Sequence, residues 1–334
     1  MALSLSAPLL AAQTSESRRP IMTMSSGRLS FDFPLIGKSF DNTEEDNEDC
    51  SFGLFLNDGR LGVFFTIDGG DGTDYLRYVY TDDEVTYFSD YVNVESSIES
   101  SYEYIDGIVD TDTGNIFLAA QYGANYLRMY RISPYGVKLG STEIGITGLL
   151  GVSVVETETG YIAIYIRLDT GSYSFNLITS SDFITWSAPT VLSIFGDIPG
   201  DDVFDDTYPV KHPKLFKLED DTYILFFSYA SILIGDSVLY NIAYSTTIDL
   251  STFEDFLPVT TNTDIYKDYV YPDVQQRNDG SLFVVIEEDN TYLTMDNSTF
   301  GWYGNSNFQP TNMYVDDING KLYVTAINYQ AGSG

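Results

Sequence analysis

Six times along the chain a polar turn rich in Asp, Asn, Thr or Gly is followed by a run of apolar residues. The copies read NDGRLGVFFT at 57–66, DTGNIFLAAQ at 112–121, ETGYIAIYIR at 158–167, EDDTYILFFS at 219–228, NDGSLFVVIE at 278–287 and INGKLYVTAI at 318–327. Each predicts a β-hairpin with a tight two-residue turn, in which glycine supplies the positive φ. The outgoing strands are apolar at consecutive positions, so both faces must be covered, as in a sheet stacked between neighbouring sheets. Helical periodicity of any length is missing. The class is all-β.

A second pattern, [ST]-x-D-x-x-T-[WYF], follows the hairpins. Clean copies span Thr81–Tyr87, Ser180–Trp186, Thr247–Phe253 and Thr294–Phe300, and a degraded copy starts at Ser133. Their spacing of about fifty residues is that of propeller blades. The aspartates (Asp83, Asp182, Asp249, Asp296) can accept backbone N–H groups of the turn that follows them. The closing aromatics (Tyr87, Trp186, Phe253, Phe300) can anchor each turn between sheets.

This pattern resembles the Asp-box of sialidase-type propellers, although each copy is one residue shorter than S-x-D-x-G-x-T-W and lacks its glycine. The Ser180–Trp186 copy also looks like the turn of five-bladed glycosidase propellers. Both resemblances imply turns between the third and fourth strands of a blade that staple the fold and carry no chemistry. The sialidase resemblance would also imply an arginine triad for an anionic sugar. The nine arginines of this chain do not assemble one at matching blade positions.

The hairpin at 318–327 leaves too little chain for two further strands. A strand–turn–strand stretch with a decayed box at Thr23–Leu29 is available near the other end. The expected fold is therefore a six-bladed β-propeller closed by N-terminal strands, with residues 20–36 completing the C-terminal blade. Its blades are expected at 46–93, 100–145, 147–192, 207–260, 269–305, and 311–330 with 20–36. Residues 1–19 read as an N-terminal arm and 20–334 as the propeller.

Charge and composition narrow the function. There are 49 acidic residues against 16 basic ones, a formal net charge of −33. A field of that sign repels phosphate backbones and anionic lipid, so neither nucleic acid nor membrane insertion is expected. Aromatics make up 15% of the chain, enough to offset its ordering entropy with burial. Cys50 and His212 are the sole cysteine and histidine, which excludes the commonest zinc constellations. No cofactor is expected. The stretch Ile67–Asp74 contains G-G-x-G-x-D, which is similar to a half-turn of calcium-binding β-rolls and makes Asp68, Asp71 and Asp74 candidate ligands. Calcium takes roughly six to eight oxygens, so a plain hairpin loop is the competing reading.

In propellers the innermost strands line a channel, so the candidate ligand-binding residues lie just upstream of the hairpins. They are Asp106, Tyr208, Lys211, His212, Tyr271 and Asp273, with Asp316 a further one. The prolines in Tyr208-Pro209 and Tyr271-Pro272 are expected to start strands. The apolar opening MALSLSAPLLAAQTS has no basic residue before it, as a secretory leader would, and reads as a docking arm. The stretch LSAPLLAAQTSESRRPIM resembles the start of some phage tail and virion proteins. That resemblance implies a non-catalytic virion propeller, docked to other protein subunits through Leu9, Leu10, Arg18 and Arg19, with host-surface carbohydrate as an outward contact. Outside a virion, the chain would be a soluble extracellular or cytoplasmic protein. The alternative is a glycoside hydrolase acting on neutral glycans through a carboxylate pair in the channel.

Overall fold

In the computed structural model the described residues are 21–25, 28–32, 51–68, 74–81, 89–98, 102–192, 194, 209–218, 220–234, 237–254, 256–260, 270–276, 282–288, 291–296, 299–303, 308–316 and 321–328. The first strands, β1 (Ile21–Ser25) and β2 (Arg28–Asp32), pair as an antiparallel hairpin with Thr23 opposite Ser30. Five four-stranded antiparallel meanders follow. The first is β3 (Ser51–Phe55), β4 (Leu61–Asp68), β5 (Asp74–Tyr80) and β6 (Val92–Ile98). The second is β7 (Tyr102–Val109), β8 (Ile116–Tyr122), β9 (Tyr126–Ile132) and β10 (Lys138–Gly145). The third is β11 (Leu149–Thr157), β12 (Gly160–Asp169), β13 (Ser172–Ser180) and β14 (Thr190–Leu192). The fourth is β15 (Val210–Lys217), β16 (Tyr223–Ile234), β17 (Ser237–Thr247) and β18 (Leu257–Pro258). The fifth is β19 (Val270–Gln276), β20 (Leu282–Glu288), β21 (Thr291–Asp296) and β22 (Thr299–Tyr303), and a last hairpin pairs β23 (Phe308–Asp316) with β24 (Lys321–Asn328).

All six sequence-predicted hairpins fall between the first and second strands of a sheet. The turns themselves differ from the expected two-residue type. At 57–59 the Leu56 N–H donates to the Arg60 carbonyl and the Gly59 N–H to the Leu56 carbonyl, with Gly59 at φ +85°. That is a three-residue loop with a bulge at the left-handed position. The same bonds link Leu218, Asp221 and Thr222, with Asp221 left-handed at φ +65°. Only Thr157–Gly160, among the turns with full hydrogen bonds here, closes over two residues. The proline expectation also needs correction. Pro209 does precede β15, but Pro213 and Pro272 lie inside β15 and β19. Both are edge strands of their sheets, where a missing N–H breaks no ladder.

The chain divides into two compact units, one of residues 100–272 with 286–289, the other of the remainder. In the first unit the doubly apolar strands behave as the pattern requires. Along β12, Ala163 and Tyr165 face Phe117, Met129 and Val154. Ile162, Ile164 and Ile166 face the opposite way, onto Leu225, Phe227 and Phe256. One sheet is thus core on both sides, and burying an apolar side chain of this size contributes about 1.5–3 kcal/mol. In the second unit Phe64, Leu76, Tyr78 and Val79 fill the β3–β6 sheet's core. There β1–β2 and β23–β24 are separate two-stranded sheets, with no ladder joining them among the described residues. The expected six four-stranded blades therefore stand as five, plus two hairpins. No helix of the described residues is long and apolar enough to cross a membrane.

Candidate functional site

The edge strands β7, β11 and β15 carry a buried polar network. Asp106 on β7 is 1% exposed, and its carboxylate takes donors from two other sheets. Its Oδ2 accepts the Ser153 hydroxyl at 2.7 Å and the Val154 N–H at 2.9 Å, both from β11. Its Oδ1 accepts the Lys214 ammonium of β15 at 2.8 Å. Ser153 Oγ in turn accepts the Leu215 N–H at 2.9 Å. Three consecutive sheets are thereby tied at one level. A buried carboxylate is tolerated only when paired and hydrogen-bonded in this way.

Two residues upstream on the same strands sits a half-buried rim. Tyr104 shares a strand face with Asp106, by the two-residue period of a strand. Its ring stacks on His212 at 5.9 Å between centroids and 9° between planes. The Tyr104 hydroxyl donates to the Pro213 carbonyl at 3.3 Å. Lys211 lies over the Tyr240 ring of β17, with Nζ 3.9 Å from its centroid. His212 has a left-handed backbone, φ +53°, at a bulge where the β15–β16 register shifts between Lys211 and Lys214. Beside it Gly151 of β11 has φ +112°, and a Cβ there would lie 2.8 Å from Pro213 Cδ and 3.2 Å from His212 Cα. Only glycine lets the two strands approach so closely. Part of His212 meets solvent, but Nδ1 is enclosed. Burial, and then the Lys211 charge, hold the imidazole well below the usual histidine range, so it is neutral at physiological pH.

The box-like turns lie between third and fourth strands, as the resemblance implies. In the Ser180–Trp186 copy Asp182 Oδ1 accepts the N–H groups of Thr185 (2.7 Å) and Ile184 (2.9 Å). In the Thr247–Phe253 copy Asp249 Oδ1 accepts those of Thr252 and Ser251, both at 2.9 Å. These backbone donors lower both carboxyls to about 2. The residue after each aspartate, Phe183 or Leu250, is left-handed at φ +62° and +60°. Phe183 is fully buried and stacks on Phe117 at 4.7 Å. A left-handed non-glycine costs roughly 1–2 kcal/mol, and burying the ring returns at least as much. In that copy burial of the ring offsets the left-handed backbone. Trp186 Nε1 donates to the Phe183 carbonyl at 3.2 Å, and Phe253 packs against the neighbouring core.

A further cluster closes the other end of β7. Asp110 accepts the Tyr161 hydroxyl and the Thr113 N–H, while Thr111 donates to Glu156. Burial pushes the Asp110 carboxyl up, and these bonds outweigh it. For Glu156 burial prevails and the carboxyl is raised.

Of the sequence-nominated ligand residues, Asp106, Lys211 and His212 come together in one unit. Asp273 is buried on β19, with its own Oδ1 accepting the Val274 N–H at 3.0 Å. Tyr271 is placed on β19, Asp316 ends β23, Asp296 ends β21 and Phe300 lies on β22. Asp68 ends β4 opposite Asp74 at the start of β5. Tyr208, Asp71, Asp83, Tyr87, Leu9, Leu10, Arg18 and Arg19 lie outside the described residues. Sequence reasoning missed Tyr104, Gly151, Ser153, Lys214 and Tyr240. One signal did point to part of the site: VKHPKLFK, the whole of β15, holds three of the chain's seven lysines and its one histidine.

No protein-family model matches the chain, and no curated protein matches its sequence. Its structure is similar to that of the Penicillium chrysogenum alpha-L-arabinanase complexed with arabinobiose, with TM-score 0.59 and 12% identity over 84% of this chain and 88% of that one. The GH93 alpha-L-arabinofuranosidase of Fusarium graminearum with arabinobiose gives 0.58 and 12%, with the same coverage of 84% and 88%. A structure of NanB with Optactamide gives 0.57 and 11%, over 89% of this chain and 67% of that one. At these identities the likeness is one of fold. The chain is an all-β propeller, similar in architecture to those of glycoside hydrolases.

Proposed function

We propose that this propeller acts on neutral glycans as a glycoside hydrolase, with its sugar site on the rim of β7, β11 and β15. The observation that carries the reading is the Tyr104–His212 stack on β7 and β15, two residues upstream of the buried Asp106–Lys214 network. Such a mixture of ring surface and few polar groups is what orients a small ligand. Two fold neighbours that hold arabinobiose support an oligosaccharide ligand and favour this reading over a docked virion component.

Glycoside hydrolysis needs two carboxyl groups in different protonation states. Asp106 is engaged by Lys214, Ser153 and Val154, so we assign it the holding of the wall. The test is turnover of arabinobiose, arabino-oligosaccharides and neutral aryl-glycosides by the full chain. His212→Asn is expected to lower turnover about tenfold with the melting temperature kept. Binding of these sugars without any turnover would reduce the function to recognition, and no binding at all would defeat the reading.

The sixth blade is also part of the proposal. The β1–β2 hairpin turns at the decayed box, as a third and fourth strand would, and β23–β24 turns like a first and second. We infer that residues 20–36 complete that blade.

A further inference from the structure

We infer that the stacked pair Tyr104 and His212 is the sugar-binding platform, that it selects uncharged rings, and that Gly151 is its positioning residue. The inference rests on the glycan reading above and adds the recognition element to it.

Three observations converge on these residues. First, the two rings are nearly parallel and both residues are partly exposed, so aromatic surface lies at the rim. The C–H face of a sugar packs on such a surface while its hydroxyls reach the edges, and ring contacts of this kind contribute about 0.5–1.5 kcal/mol. Second, the platform is built at a conformational cost. His212 is held left-handed inside a strand bulge, and nothing about an ordinary hairpin or turn requires this. Backbone outliers of this kind gather where a side chain must be aimed. The Tyr104 hydroxyl on the Pro213 carbonyl, together with the Gly151 backbone against His212, locks the bulge from two sheets. Third, the charges around the platform are already compensated or spread. Lys214 is bonded to Asp106, and Lys211 lies on the Tyr240 ring. Nδ1 is enclosed, so the neutral imidazole meets a ligand hydroxyl through its Nε2 edge. A carboxylate-bearing sugar would face the field of a chain with formal net charge −33.

The experiment is isothermal titration of the full chain at pH 7 with arabinobiose, xylobiose and cellobiose, and with digalacturonate as the charged probe. His212 is the only histidine, so its ring resonances are followed by NMR in the same titrations. Tyr104→Ala and His212→Ala are each expected to weaken binding of the best neutral disaccharide about tenfold, and Tyr104→Phe, which keeps the ring but loses the bond to Pro213, to weaken it by a smaller factor. Gly151→Ala should weaken binding and displace the His212 resonances in the free protein. If an alanine variant does not fold, Tyr104→Phe, His212→Asn and the wild-type imidazole shifts still decide the matter. Neutral-sugar binding that leaves the His212 resonances in place and survives both alanine variants would overturn the platform alone. Tighter binding of digalacturonate would overturn its charge selectivity. Failure of every sugar to bind wild type would remove the glycan reading, and the platform with it.

Discussion

At the scale of single residues, His212 and Asp106 show how a propeller wall pays for polarity in different ways. His212 is kept neutral by burial and by Lys211, so its folded pKa lies below the unfolded value of about 6.5. The unfolded chain therefore takes up a proton that the folded chain refuses. Stability contributed by this group is intact above pH 6.5 and falls below it, at about 1.4 kcal/mol per pH unit. Chemical denaturation between pH 7 and 5.5 should show that loss, and His212→Asn should flatten it. Glu156 works in the opposite sense, because its raised carboxyl favours the folded state as pH falls, so the variant comparison isolates the histidine. Asp106 meets the same problem by pairing. Its side chain is 2% exposed and that of its Lys214 partner 13%. Removing one partner strands a buried charge, so Asp106→Ala is expected to cost about 3–5 kcal/mol. Replacing both residues by apolar ones should recover much of that loss, and a double variant no more stable than the single would show that the pair is not coupled.

Elements repeat because the same local chemistry repeats. Among the described first-to-second turns, the left-handed residue is Gly59 in one sheet and Asp221 in another. Two third-to-fourth turns hang on an aspartate that gathers two backbone N–H groups, and the β9–β10 turn hangs on Ser133, whose hydroxyl accepts the Tyr135 and Val137 N–H groups. In the Ser180–Trp186 turn the left-handed Phe183 reaches across to the β7–β10 sheet and stacks on Phe117, while Tyr161 and Trp186 of its own sheet meet it edge-on. The turn is thus an anchor between sheets as well as a link within one. Phe183→Ala should lower stability by about 3–5 kcal/mol through the cavity it leaves. A loss below 1 kcal/mol would mean that the aspartate bonds alone hold the turn.

For the whole molecule the testable matter is the seam. If residues 20–36 complete the last blade, deleting residues 1–36 should abolish cooperative unfolding or lower the melting temperature sharply, while deleting 1–18 should leave it unchanged. A 1–36 deletion that melts like the full chain would show that the β23–β24 hairpin needs no partner from the N-terminal strands.

The division between sequence and structure follows the range of the forces. Hairpin positions, strand order within a sheet and box placement were legible because turns and strand alternation are local, set by a few neighbouring residues. The class of each turn was not, since a bulge depends on how the outgoing strand must twist to pack. Asp106, Lys211 and His212 could be nominated from their place before a hairpin. Their partners could not, because Asp106 and Lys214 stand 108 residues apart and meet only when separate sheets stack. Tyr104 reads in sequence as one more core aromatic and Gly151 as one more strand glycine. The sequence alone determined which strands pair and that both their faces are buried. The tertiary structure decided which side chains of different sheets share a wall, because that depends on close packing between surfaces that no local pattern encodes.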